Sequence, residues 1–185
     1  MAGGRTVLRL RRPEREPAFR KIRRPQMSRV QKSIDVNVPV RTAYDQWTQF
    51  EEFPRFMTGV KSVRQLDDTR LHWKAEVAGR QKDWDARILE QRPDELVAWA
   101  STSGAPNAGT VTFERLGDDR TRISLLMEVD PEGALETVGE AVGVLDAQVA
   151  GDLQRFKEFI EGRGEPTGAW RGTVAAGKSL DRPEG

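Results

Sequence analysis

The stretch Ala134–Glu161, ALETVGEAVGVLDAQVAGDLQRFKEFIE, decides how this chain can fold. Its apolar residues Leu135, Val138, Val142, Leu145, Val149, Leu153, Phe156 and Ile160 recur every three or four positions, which makes one continuous stripe along one long helix. At about 1.5 Å per residue such a helix is on the order of 40 Å long. It can lie across a whole sheet.

The residues before it supply that sheet. From Val30 to Val38 the chain alternates, with Val30, Lys32, Ile34, Val36 and Val38 interleaved with Gln31, Ser33, Asp35 and Asn37, the period of a half-buried strand. Pro39 ends the run. Pro39-Val40-Arg41-Thr42 then opens a helix carrying Ala43, Tyr44 and Trp47, capped by Thr42 or the preceding turn. The next residues, WTQFEEFPRFM from Trp47 to Met57, crowd aromatic residues around two glutamates, and Pro54 excludes a single unbroken helix. Two short helices with a bend between them fit, the second around Phe53–Met57 and stopped by Gly59.

Six further segments read as strands separated by turn residues: Val60–Leu66, Leu71–Ala78, Gln81–Glu90, Glu95–Thr102, Gly109–Leu116 and Thr121–Val129. Their short connections predict an antiparallel meander, because parallel strands need long crossovers. Leu71, Trp73, Ala75 and Val77, then Trp84, Ala86 and Ile88, then Val111 and Phe113, then Ile123, Leu125, Met127 and Val129 mark one face. His72, Lys74, Glu76, Asp83, Asp85, Arg87, Arg122 and Ser124 mark the other, which is therefore wet. The faces of the Glu95–Thr102 segment stay ambiguous, with Val97 and Trp99 opposing Leu96, Ala98 and Ala100. A curved sheet with one wet face must cover its other face, and the long helix is the element able to do so. The fold class is α+β: a seven-stranded curved antiparallel sheet wrapped around a long C-terminal helix, with two short helices after strand 1.

The 185 residues suit one domain, and the complete lack of cysteine excludes disulfides, thiolate catalysis and cysteine-held metals. No apolar run reaches the roughly 20 residues that cross a bilayer, and no apolar segment follows the basic N-terminus as in a secretory signal, so a cytoplasmic protein is expected. The chain has 30 basic and 29 acidic residues, but ten of the former and only Glu14 and Glu16 of the latter fall in residues 1–29. A basic tail thus precedes an acidic domain. Such a tail reads as a disordered extension, as an over-long gene start with Met27 the initiator, or as an arm making weak contact with a polyanion or anionic surface. The expected organisation is tail 1–29, domain 30–162 and a flexible C-terminal tail 163–185, in which Trp170 of GAWRG could fold back onto the domain.

Three stretches, SIDVNVPVRTAYDQWTQFEEFPRFMTGVKSV, LHWKAEVAGRQKDWDARILEQRPDELVAWAS and GDLQRFKEFIEGRG, carry a resemblance that spans roughly Ser28–Gly162. The sequence resembles the SRPBCC (START-like, Bet v 1-like) superfamily of helix-grip proteins, and within it the bacterial polyketide cyclase/dehydrase group related to coenzyme Q-binding START-domain proteins. The resemblance implies a cavity between sheet and long helix that takes a hydrophobic small molecule: a lipid, an isoprenoid or quinone, or a polyketide. It also implies that the two short helices sit at the cavity mouth. Ligand contacts are then expected from Trp73, Trp84, Trp99, Phe113 and Met127 on the sheet, Phe53 and Phe56 at the mouth, and Val142, Leu145 and Val149 on the helix. Periodicity alone does not separate cavity lining from core.

Signals for chemistry are sparse. The single histidine, His72, falls on the wet face, so a three-histidine or HExxH metal site is impossible, and no phosphate loop or dinucleotide fingerprint occurs. No metal and no cofactor are expected. Asp83 and Asp85 share a strand face two residues apart, but Arg87 joins them there and the group reads as a solvated, salt-paired surface. Cyclases of the family steer a reactive chain with arginine, tyrosine or hydroxyl groups. This sequence offers one tyrosine, Tyr44, with Ser101, Thr102 and Thr112 as hydroxyls that could face inward, and no convincing inward arginine. The readings carried forward are a non-catalytic binder of a hydrophobic molecule, a polyketide aromatase/cyclase with Tyr44 orienting enolisation, and an interaction module docked by its basic tail.

Overall fold

β1 spans Ser28–Val36, and its alternation buries Val30 and Val36 against the interior. A computed structural model describes residues 27–77, 79–129 and 138–180 of the chain, so the basic residues of 1–26 and the segment 130–137 lie outside the described residues. After β1 come α1 (Val40–Trp47) and a 3₁₀ helix (Phe50–Arg55), then β2 (Val60–Gln65), β3 (Arg70–Val77), β4 (Arg80–Arg92), β5 (Leu96–Gly104), β6 (Asn107–Gly117) and β7 (Arg120–Val129). α2 (Val138–Arg163) follows, and two short strands, β8 (Val174–Ala175) and β9 (Lys178–Ser179), close the order.

The main sheet runs β1-β7-β6-β5-β4-β3-β2, antiparallel throughout. Every neighbouring pair in that path except β1–β7 is joined by a short turn, so the meander follows from local hairpins. β1 instead docks beside β7, with Ser28 opposite Val129 and Val36 opposite Thr121. This long-range pairing curls the sheet around α2 in the helix-grip arrangement.

α1 begins one turn earlier than a Thr42 cap would place it. Pro39 occupies the N-cap position without a side-chain bond, and Thr42 lies inside the first turn. Pro54 sits within the 3₁₀ helix, where it opens the final turn: the Phe53 carbonyl accepts from the backbone N–H of both Phe56 (3.1 Å) and Met57 (2.8 Å). Gly59 turns the chain into β2 with φ +90°, and a Cβ in its place would stand 2.6 Å from the Glu76 carbonyl oxygen. Only glycine fits.

Two expectations are corrected. Among the described residues the sheet contains nine strands, since β8 pairs with the end of β4 (Val174 opposite Gln91) and with β9. For the same reason residues 164–180 are a strap packed on the domain, in contrast to the flexible tail expected over 163–185. Val174 is fully buried, and Trp170 packs against the core. The strap is held by polar contacts: Gln46 Nε2 donates to Thr167 Oγ1 (3.2 Å), Thr167 N–H donates to Gln46 Oε1 (2.8 Å), and Arg171 bridges Asp45 (2.7 Å) and Asp94 (2.7 Å). Gly, Pro and charge made this stretch read as solvated because its partners are distant in sequence.

Candidate functional site: a cavity between sheet and helix

A cavity of ≈ 220 Å³ lies where the curved sheet stands off from α2. Its helical wall is Val142, Leu145, Val149 and Leu153, one side of the stripe seen in the sequence. The sheet contributes Leu71 and Trp73 of β3, Trp84 and Ile88 of β4, Val97 and Trp99 of β5, and Leu125 and Met127 of β7. Trp47, Phe50, Phe53 and Met57 close one end. This wall is almost wholly apolar, so it gives water few partners and favours hydrocarbon.

The aromatic residues are mutually braced. Phe53 meets Trp47, Phe50 and Trp73 with ring centroids 5.5 to 5.6 Å apart at steep angles. Trp73 and Trp84, directly opposite each other on β3 and β4, lie parallel at 5.7 Å with planes 8° apart. Trp99 lies across Gly109 of β6, where a Cβ would fall 2.4 Å from its Cζ2. The missing side chain at Gly109 is thus the seat of the indole.

A few polar groups reach the wall: Ser28, Lys82, Asn107, Gln148 and Asp152. Gln148, Asp152 and Arg155, successive on one face of α2, hold the turn that follows the 3₁₀ helix. Gln148 Nε2 donates to the Thr58 carbonyl (2.7 Å), Asp152 Oδ1 accepts from Thr58 N–H (2.8 Å) and from Arg155, and Arg155 Nε donates to the Phe56 carbonyl (2.9 Å). Burial pushes the Asp152 carboxyl above the usual carboxylate range, with the Thr58 N–H and Arg155 acting in the opposite direction. Among the described residues the indole Nε1–H of Trp73 is buried without an acceptor.

Eight of the ten residues expected to contact a ligand line the cavity: Phe53, Trp73, Trp84, Trp99, Met127, Val142, Leu145 and Val149. Phe56 and Phe113 do not. Phe56 turns away to pack on Phe156 (5.1 Å) and Phe159 (5.4 Å), while Phe113 sits beneath α1 against Tyr44 (5.4 Å) and Trp47 (6.2 Å). Both are core. Trp47 and Phe50, which the sequence left undivided between core and mouth, fall on the lining, as does Met57. Lys82, Gln148 and Asp152 were not anticipated, although the period of two from Lys82 to Trp84 and the helical spacing from Leu145 to Gln148 and Asp152 carried the signal.

Tyr44 lies outside the lining. Its hydroxyl accepts from Gln91 Nε2 (3.0 Å), its ring sits under the Arg171 guanidinium at 5.7 Å, and burial pushes its pKa up to about 12. Thr102 and Thr112 are exposed on the outer face, while Ser101, opposite Ala86 on the inner face, accepts from the backbone N–H of Asn107 (3.0 Å) and does not line the cavity. Asp85 pairs with His72 (2.7 Å) and accepts from Ser103 Oγ (2.8 Å), while Asp83 is 3.9 Å from Lys74. These are contacts of the wet face. No helix among the described residues is long and apolar enough to cross a membrane.

Known proteins share this architecture. A structure from Deinococcus radiodurans, 27% identical, covers 72% of this chain and 98% of its own with a TM-score of 0.57. The Zhui aromatase/cyclase from Streptomyces sp. R1128 has the same fold at 17% identity, covering 78% of this chain and 99% of its own with a TM-score of 0.62. A START superfamily protein from Mycobacterium smegmatis does so at 17% identity and TM-score 0.58, over 73% of this chain and 95% of its own. In sequence, an uncharacterized 17.2 kDa protein in the melC2-rnhH intergenic region of Streptomyces lincolnensis is 54% identical over 149 residues, 80% of this chain and 99% of that protein. Residues 36–158, from the last residue of β1 into α2, match the model of one family, and the chain belongs to that family, polyketide cyclase / dehydrase and lipid transport.

Proposed function

We propose that the chain binds one hydrophobic small molecule in the cavity and holds it without converting it. The observation that carries this reading is the cavity itself. A cavity of ≈ 220 Å³ walled by tightly braced aromatic and aliphatic side chains leaves apolar surface in contact with water. A hydrophobic ligand that fills it removes that surface from water. Its volume matches about seven water molecules in the liquid, which suits a one- or two-ring compound or a short chain. The non-catalytic half of the reading is supported by Tyr44, whose hydroxyl is engaged by Gln91 away from the cavity.

A polyketide aromatase/cyclase is the second reading, and one observation favours it: Asp152, a carboxyl with a raised pKa on an apolar wall. Four of the five tryptophans, Trp47, Trp73, Trp84 and Trp99, line the cavity, so indole emission tests the binding directly. Titration with a quinone, a fatty acid and an aromatic polyketide should quench it for at least one compound and raise the melting temperature, and the bound compound should be recovered unchanged. A flat response across the panel would refute the binder. Recovery of a cyclised product would favour the enzyme.

A further inference from the structure

Lys82 faces the wrong way for a surface lysine. On β4 it shares its face with Trp84, Ala86 and Ile88, and it lines the cavity. Lys32, Lys61, Lys74 and Lys157 each have a carboxylate within 4.0 Å, whereas Lys82 forms no ion pair among the described residues. The other charged group on the wall, Asp152, is already engaged by Thr58 N–H and Arg155. A half-buried ammonium beside hydrocarbon and without a counter-charge is unfavourable unless something else supplies one.

Trp73 is opposite Trp84 in the β3–β4 register and Ala75 is opposite Lys82, so Lys82 stands beside the stacked Trp73–Trp84 pair on the cavity face. One ammonium matches a group with a single negative charge, and the indoles beside it match an apolar body.

We propose that the molecule held in the cavity is a monocarboxylate with an apolar body, its carboxylate taken by Lys82 Nζ and its hydrocarbon against the apolar wall. This rests on the binder reading above and narrows the ligand class. Asn107 does not compete for the same group, because its Nδ2 donates to the Ala105 carbonyl (2.9 Å).

The test uses the full chain and two matched pairs of probes, naphthoate with its methyl ester and decanoate with decanol, followed by tryptophan quenching at low salt. The acid of each pair should bind about tenfold more tightly than its neutral partner, as for a charge-assisted hydrogen bond. Lys82→Met should abolish that preference by weakening the acid of each pair about tenfold, Lys82→Arg should keep it, and Lys74→Met on the outer face should have no effect. Equal affinities within each pair, or a preference that survives Lys82→Met, would overturn the carboxylate assignment and leave the cavity reading intact. Failure of all four probes to quench would overturn both.

Discussion

Tyr44 provides a direct separation of structural from catalytic roles, because it is the only tyrosine in the chain and it is fully buried outside the cavity. Tyr44→Phe keeps the ring, and with it the edge contact to Phe113 and the stacking under Arg171. It removes the oxygen that accepts from Gln91 Nε2, and Gln91 is 1% exposed with its own Oε1 already lacking a partner among the described residues. Orphaning a buried donor costs about 1–3 kcal/mol at neutral pH. For a chain of this size each kcal/mol lowers the melting temperature by about 2–4 °C. Ligand quenching, by contrast, should be unchanged.

The pH dependence gives the same residue a second signature. Burial raises the phenol from 10.0 in the unfolded chain to about 12 in the fold. A raised folded-state pKa means that the stability is full below pH 10 and is lost as pH rises through about 12. At 1.36 kcal/mol per unit the loss approaches about 3 kcal/mol in the wild type. Tyr44→Phe has no phenol to ionise, so its deficit at neutral pH should shrink or reverse in alkali. Thermal melts of both proteins across the alkaline range, with the phenolate absorbance of the single tyrosine as a site-specific probe, measure this. Phenol titration near 10 in the folded protein would refute the burial argument, and loss of ligand binding in a folded Tyr44→Phe protein would refute its exclusion from the site.

Gly109→Ala should displace Trp99 from its seat, costing about 1–3 kcal/mol as overpacking does and weakening ligand quenching, as read by melting and titration of the same variant. Arg171→Ala should cost about 1.5–3 kcal/mol, because it leaves the Asp45 carboxylate, whose side chain is 6% exposed, with only Arg41 at 3.6 Å, and should release the strap to limited proteolysis while β1 to α2 stay folded.

The sequence made the layers legible because both of its periods are strong. The stripe from Val142 to Ile160 and the two-residue alternation of β3, β4 and β7 each repeat often enough to fix an orientation. The wet face followed from the same alternation, and Asp83, Asp85 and His72 are on it. Periodicity fixes which way a side chain points but not what it meets. Phe113 points inward as expected and still lies outside the cavity, because α1 covers that part of β6. Phe56 likewise fell to α2, through Phe156 and Phe159. The strap was illegible for a different reason: its order comes from single polar contacts, Thr167 to Gln46 and Arg171 to Asp45 and Asp94, across long stretches of chain. Two-residue strands leave no pattern.

A void in a protein interior tends to collapse unless its walls resist, and here the resistance is traceable to particular residues. Trp99 cannot slide inward while it is seated on Gly109, Trp73 is held flat against Trp84 and edge-on to Phe53, and Phe53 is fixed in turn by Trp47 and Phe50. Rings of this size have few rotamers, so the braced set cannot repack to fill the gap as leucines would. The helix is restrained separately. Gln148, Asp152 and Arg155 bind three backbone groups between Phe56 and Thr58, which fixes the distance between α2 and the mouth by hydrogen bonds rather than by hydrophobic contact. Apolar burial alone would draw α2 down onto the sheet. The polar ties and the aromatic braces oppose that closure, so the cavity is a maintained feature of the fold, with Lys82 on its wall.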